Sequence, residues 1–235
     1  MTSAPLPAFC SPFDTTWPAP LALAGAHLLR LRFDPAQWQA EDSARCGITP
    51  VPGVAKRQSE HLAGRLCARE ALRQLGESGT PGRDEDGAPR WPAGTLGSIS
   101  HGAGQAAALV AHSSQWQGLG LDLEKRLSVE RARKLAGEIL TPAELQRAGD
   151  LPNEGFALLV TLTFSLKESL FKALYPLVRQ RFYFHDAELL AWADDGSARL
   201  RLLIDLSPAW HSGRELNGQF ALYDDRLLSL VAIPA

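Results

Sequence analysis

The chain has 235 residues, 45% hydrophobic and 21% charged, the make-up of an ordinary globular protein with length for one large domain or two small ones. Its 24 basic and 26 acidic residues leave a formal net charge of −2, which removes the bulk electrostatic case for a nucleic-acid partner but not for a local basic pocket. Three scattered cysteines (Cys10, Cys46 and Cys67) exclude a disulfide framework and a structural zinc site. They fit a reducing compartment, and with no signal-peptide pattern and no run of roughly 20 apolar residues the expectation is a cytoplasmic protein.

Residues 1–26 are rich in Pro, Ala and Thr, and read as an irregular segment whose aromatics (Phe9, Phe13, Trp17) dock on a core. In residues 27–33, Leu29, Leu31 and Phe33 alternate with Arg30 and Arg32, the pattern of a half-buried strand. Residues 54–75 carry the stripe Leu62, Leu66, Leu72 and Leu75 and end before Gly76, which predicts a long helix. Gly64 in its middle costs stability relative to Ala, and fits close approach of a ligand or, at least as well, a tight crossing of this helix over its neighbour. Residues 76–90 (GESGTPGRDEDGAPR) read as a mobile loop. A short strand over 96–100, a turn at His101-Gly102 and a second strand over 105–111 follow, and the polar residues 112–117 read as a crossover between halves.

The run Gly118-Leu119-Gly120-Leu121-Asp122-Leu123-Glu124 predicts a strand ending in two acids on one face, since successive strand side chains alternate. Ser128 is the expected N-cap of a helix to about Leu140, and Thr141-Pro142-Ala143-Glu144 spells a capping box. Residues 154–175 predict a second long helix, ended by Pro176. Strands are expected at 188–193, 199–206, 219–223 and 227–232. Each half therefore holds one long helix and several strands. The expected fold is α+β, with two similar α/β lobes (1–114 and 115–235) related by a pseudo-twofold, each a long helix on a mainly antiparallel sheet.

Taken singly, the charged residues have ordinary explanations: Glu168 and Lys172 are spaced as a helix ion pair, and Arg57 and Arg65 suit a solvated helix face. Together they suggest more. Asp122, Glu124 and Glu168 make an oxygen-only donor set of the kind Mg²⁺ prefers, with water and substrate phosphate completing it. Arg57, Arg65, Arg90, His101, Lys167 and Lys172 are candidate cations for a ligand with several phosphates, and the amides of the Ser100-His101-Gly102 turn could add donors. No P-loop, zinc-protease, serine-hydrolase or dinucleotide fingerprint is present.

In chain order, these stretches are Leu62 to Leu72, Pro89-Arg90-Trp91-Pro92, Gly97 to His101, Gly120 to Glu124 and Phe164 to Lys172. They resemble the larger, two-lobed 4′-phosphopantetheinyl transferases, and among them the branch of enterobactin synthase component D. The pairing of D-x-E with S-x-K-E-x-x-x-K carries the specificity. Leu121 stands where the family usually has Val or Ile, and Arg90 where many relatives carry Lys.

The resemblance implies an enzyme that uses coenzyme A and Mg²⁺ to place the 4′-phosphopantetheine arm on a serine of an apo acyl or peptidyl carrier protein, releasing adenosine 3′,5′-bisphosphate. It implies that Asp122, Glu124 and Glu168 bind the metal, that Ser100 and His101 grip coenzyme A phosphates, and that Arg57, Arg65 and Arg90 line the nucleotide site. Lys167 and Lys172 match the lysines of the second helix. Glu168, directly or through a metal-bound water, is the expected base, and Lys172 the stabiliser of the leaving phosphate. Basic residues in 125–134 are candidate carrier contacts or simply a solvated face. Two lobes in one chain allow a monomer to be complete. A coenzyme A-binding module without turnover and a Mg²⁺-dependent phosphohydrolase are the alternatives. Fatty acid, polyketide, peptide and siderophore carriers are equally open.

Overall fold

Alternating Leu and Arg builds the first strand, β1 (Ala26–Arg32), with Leu29 and Leu31 facing inward. This computed structural model describes residues 5–235. The chain divides into two units. The first takes the residues up to Trp17 and Leu23–Trp116, and the second takes Pro18–Ala22 and Gln117–Ala235. Leu21 is held in the second unit by its amide, which donates to Gln219 Oε1 at 2.8 Å.

In the first unit a short helix, α1 (Asp42–Arg45), precedes the long helix α2 (Ala55–Gln74). The loop expected over 76–90 contains a two-stranded ribbon, β2 (Gly82–Arg83) and β3 (Pro89–Arg90), pairing Gly82 with Arg90. Strands β4 (Thr95–Gly102) and β5 (Gln105–His112) complete an antiparallel sheet in the order β1-β5-β4. Leu62, Ala63, Leu66 and Ala71 of α2 pack on Leu29, Leu31, Ala106, Ala108 and Val110. The small side chains of β5 let the helix settle low on the sheet. A Cβ at Gly64 would stand 2.8 Å from Ile99 Cγ2, so this glycine serves a tight helix crossing.

The hairpin turn between β4 and β5 falls two residues later than expected. Ala103 (φ 49°) and Gly104 (φ 76°) make it, a two-residue reversal with positive φ at both positions. His101 therefore remains on a strand, its side chain alternating with that of buried Ser100.

The second unit opens on β6 (Trp116–Lys125). Helix α3 (Val129–Ile139) is capped by Ser128, whose hydroxyl accepts the Arg131 amide at 3.2 Å. Helix α4 (Pro142–Ala148) starts with the Thr141–Glu144 capping box. Helix α5 (Asn153–Val178) runs past Pro176 instead of ending at it. Packing overrides the local signal here: Tyr175 stacks on Phe171 at 5.2 Å between ring centroids, and the Arg179 and Arg181 guanidinium groups each lie 5.9 Å from the Tyr175 ring. The helix closes at left-handed Arg179. Strands β7 (Ala187–Trp192), β8 (Ser197–Leu202), β9 (Glu215–Tyr223) and β10 (Arg226–Pro234) join β6 in a sheet ordered β6-β10-β9-β8-β7.

Leu162, Leu166, Leu170 and Leu174 of α5 pack on Leu200, Leu227 and Val231. Against β6 the fit is closer still. A Cβ at Gly120 would overlap the Ser169 carbonyl oxygen, and one at Gly118 would lie 2.5 Å from the Ala173 carbonyl oxygen. These glycines bring the backbone of α5 onto β6. Beside this seam the Ser165 and Ser169 hydroxyls lie 2.7 and 2.8 Å from that of Ser229 on β10, all fully buried. Among the described residues no helix is long and apolar enough to cross a membrane.

Candidate active site

In the second unit, β6 sends Asp122 and Glu124 to the face that Gly118 and Gly120 offer to α5. Helix α5 brings Glu168 and Lys172, one turn apart, to the same place. Lys172 Nζ donates to Asp122 Oδ1 at 2.6 Å and to the Leu121 carbonyl at 3.2 Å. Asp122 is buried, and Glu124 and Glu168 are half-buried. Burial pushes the Glu124 carboxyl up to about 7. The Asp122 charge adds to this, Lys172 opposes it, and Glu168 raises it further. Glu168 is likewise raised, chiefly by burial, with Lys172 lowering it and Asp122 raising it. The three carboxylates thus feel one another, with one ammonium among them.

Among the described residues, no three Asp, Glu, His or Cys side chains already stand in a metal-ligating arrangement. The chemistry of the donors still suits a hard divalent cation: three carboxylates, oxygen only, partly desolvated and in excess of the positive charge that faces them. The Lys172 ammonium supplies part of that charge at Asp122.

Lys167 departs from the expected role of a phosphate ligand. Its side chain is 2% exposed, and Nζ donates to Glu144 Oε2 at 2.7 Å and to the Ile139 carbonyl at 2.9 Å. The reason is helical geometry: consecutive residues point about 100° apart, so Lys167 faces α3 and α4 while Glu168 faces β6. Lys167 and Glu168 also border a groove of about 210 Å³, walled by Phe171, Arg181, Phe182, Tyr183 and Phe184.

The first unit holds a separate cationic cleft of about 190 Å³. Arg57, His61 and Arg65 enter it from α2 at four-residue spacing, Arg83 from β2 and His101 from β4. The Arg65 guanidinium donates to the Gly82 carbonyl at 3.2 Å, tying the ribbon to the helix. Burial is the largest cause holding the His61 imidazole down at about 4. The positive charge of Arg65 lowers it too, a backbone hydrogen bond at Thr49 raises it, and Arg83 and His101 lower it further. Arg65 is also lowered, by burial and then by Arg83. Three guanidinium groups, those of Arg57, Arg65 and Arg83, thus border one small cavity, an arrangement that suits an anion; His101 Nδ1 lies 3.8 Å from the Glu60 carboxylate.

Of the expected phosphate ligands, the cleft gathers Arg57, Arg65 and His101. Ser100 is buried beside His101 on β4. Arg90 is outside the residues lining the cleft; it is exposed on β3, its guanidinium next to Gly82. Two basic residues of the cleft, His61 and Arg83, lie outside the sequence expectation. His61 was legible as the residue midway between Arg57 and Arg65 on one helical face. Arg83 had no local signal, because only the β2–β3 pairing brings it there.

Residues 52–111 match the 4′-phosphopantetheinyl transferase N-terminal domain, and residues 118–230 match the 4′-phosphopantetheinyl transferase superfamily. Enterobactin synthase component D of Escherichia coli (strain K12) is 38% identical over 179 residues, covering 73% of this chain and 81% of its own. The 4′-phosphopantetheinyl transferase Svp of Streptomyces mobaraensis is 34% identical over 189 residues, covering 77% of this chain and 74% of its own. A solved Thermotoga maritima holo-[acyl-carrier-protein] synthase aligns with a TM-score of 0.37 and 24% identity, over 50% of this chain and 63% of that one. The chain belongs to the 4′-phosphopantetheinyl transferase superfamily of enzymes. Within that superfamily its likeness is to the enterobactin synthase component D branch.

Proposed function

We propose that the protein moves the 4′-phosphopantetheine group of coenzyme A to a serine of an apo acyl or peptidyl carrier protein, with Mg²⁺ and with release of adenosine 3′,5′-bisphosphate. The observation that carries this reading is the partly buried meeting of Asp122, Glu124, Glu168 and Lys172 where α5 crosses β6. In the transfer a bond forms between the serine Oγ and the phosphorus that carries the pantetheine arm. The bond from that phosphorus to the bridging oxygen breaks, and adenosine 3′,5′-bisphosphate leaves with the electron pair.

Asp122, Glu124 and Glu168 would hold the cation, whose contribution when bound is to neutralise pyrophosphate charge and align its oxygens. Glu168, directly or through a water, takes the serine proton. Lys172, anchored on Asp122, is a fixed positive charge for the leaving phosphate. Arg57, Arg65, Arg83 and His101 bind phosphate groups of coenzyme A in the cleft of the first unit.

Carrier proteins are expected to be acidic around the modified serine. Of the basic residues in 125–134, Lys125, Arg126 and Lys134 already hold exposed ion pairs with Asp225, Glu154 and Glu130. Arg133 donates to Asn153 Oδ1 at 2.6 Å, so Arg131 is the first residue of this segment to test as a carrier contact. Likeness to enterobactin synthase component D makes a carrier from siderophore synthesis the first to test. Intact-mass measurement should show an apo carrier gaining about 340 Da, the mass of one transferred phosphopantetheine group, only when coenzyme A and Mg²⁺ are both present. Asp122→Ala should abolish that gain. No gain with any carrier of a broad panel would refute the proposal.

A further inference from the structure

Lys167 and Glu144 form an ion pair with 2% of each side chain exposed, and the proposed chemistry uses neither. Glu144 Oε2 accepts from Lys167 Nζ and from the Thr141 amide, each at 2.7 Å, and its Oε1 accepts the Leu189 amide at 2.5 Å. Lys167 Nζ also donates to the carbonyl of Ile139, the last residue of α3. Two side chains thereby join α3, α4, β7 and α5.

Stability alone explains such a pair poorly. Replacing a buried ion pair by neutral groups of similar size is often neutral or stabilising, whereas removing one partner costs several kcal/mol. What the pair supplies is direction. Elsewhere α5 is held by leucines, by the small-residue seam with β6 and β10, and by directed bonds on that seam's side, Ser165 and Ser169 to Ser229 and Lys172 to Asp122; the Lys167–Glu144 pair adds a directed bond on the side turned to α3 and α4. Lys167 is bonded to Glu168. A carboxylate stands about 6 Å from its helix axis, so a 10° turn of α5 moves Glu168 by about 1 Å. A displacement of that size at a reacting group costs about 10²-fold in rate.

We infer that Glu144, acting through Lys167, is a positioning residue for the transfer: the pair fixes the rotation of α5 and with it the place of the Glu168 carboxylate beside Asp122. The inference rests on the function proposed above. At 2% exposure the two side chains are engaged with each other, so their action on the site runs through α5.

The test compares the full-length wild type with Glu144→Gln, Lys167→Met and the double variant. Carrier modification gives kcat and KM, calorimetry gives coenzyme A affinity, and thermal melting gives stability. Each single variant is expected to lose about 10- to 100-fold in kcat, with coenzyme A affinity held within about threefold because the cationic cleft belongs to the other unit. Each also melts earlier, since one charge stays buried alone. The double variant leaves no lone charge and regains most of the melting temperature, but its kcat stays low. A role in folding alone predicts the opposite: kcat returns together with stability. That return, a folded single variant turning over at the wild-type rate, or a double variant that does not fold would each overturn the inference. If the single variants fail to fold, the double variant decides. A wild type that modifies no carrier refutes the function itself, an outcome distinct from all of these.

Discussion

Gly120→Ala tests the contact on which the carboxylate site depends. The added Cβ would meet the carbonyl oxygen and carbon of Ser169 and would lie 2.9 Å from the Ala173 nitrogen. All three are backbone atoms of α5, so no side chain can swing aside. Ordinary contact at about 3.4 Å or more requires the helix to lift off β6 by an ångström or more. Overpacking of this kind costs about 1–3 kcal/mol. The same shift stretches the 2.6 Å Lys172–Asp122 bond toward the distance at which a hydrogen bond is lost, so activity should fall further than stability. Urea unfolding and carrier modification measure the two effects. Gly137→Ala is the control: it lies in α3 with nothing within 4 Å of the new Cβ, and should stabilise by about 0.5–1 kcal/mol. A Gly120→Ala protein that unfolds within about 0.5 kcal/mol of wild type would show that β6 and α5 do not meet as closely as described.

Lys172→Met takes the ammonium from a buried carboxylate. It should cost toward the lower end of about 3–5 kcal/mol, because Lys172 itself is 26% exposed. Lys172 lowers both Glu124 and Glu168, so their carboxyl titrations should move further up by NMR; unchanged titrations would remove Lys172 from the site. Arg83→Ala should weaken coenzyme A binding about 10- to 100-fold, the loss of a charge-assisted hydrogen bond, whereas Arg90→Ala should change it by less than about threefold; calorimetry showing the reverse would move the nucleotide site to Arg90. For His61 the folded pKa, about 4, lies below the ordinary 6.5, so between these values the unfolded chain binds the proton and the folded one does not. Stability is then full above about pH 6.5 and drains away as pH falls through 4. His61→Gln should flatten melting temperature against pH in that window, and an unaltered slope would refute the assignment.

Most of the fold was legible in the sequence because its signals are local. The Leu/Arg alternation of β1, the stripe of α2, the capping box of α4 and the alternation of β6 each follow from contacts within a few residues. The errors occurred where packing at a distance overrules a local preference. Pro176 reads locally as a helix end, but the aromatic and guanidinium stack on Tyr175 carries α5 two residues beyond it. His101-Gly102 reads locally as a turn, but Ala103 and Gly104 accept positive φ and leave His101 on the strand. Arg83 and Arg90 differ only in the side of a two-stranded ribbon on which they emerge, and the pattern of a loop does not encode sides.

The lysine assignments show the same limit at the site itself. S-x-K-E-x-x-x-K names the chemistry of α5 but not its facing, and both lysines read equally well as phosphate ligands. The facing is written on the partner strand. Gly118 and Gly120 share parity with Asp122 and Glu124, so the side of β6 that carries the acids is also the side that takes a helix backbone without a Cβ between. On α5, the residues meeting those glycines are Ser169 and Ala173, four apart and therefore on one face. Glu168 and Lys172 each lie one position before them and flank that seam. Lys167 lies about 100° further round from Glu168 and meets Glu144 instead. A pair of small residues four apart on the helix, facing a G-x-G-x-D-x-E strand, thus separates the lysine of the acidic site from the lysine that holds the helix in place.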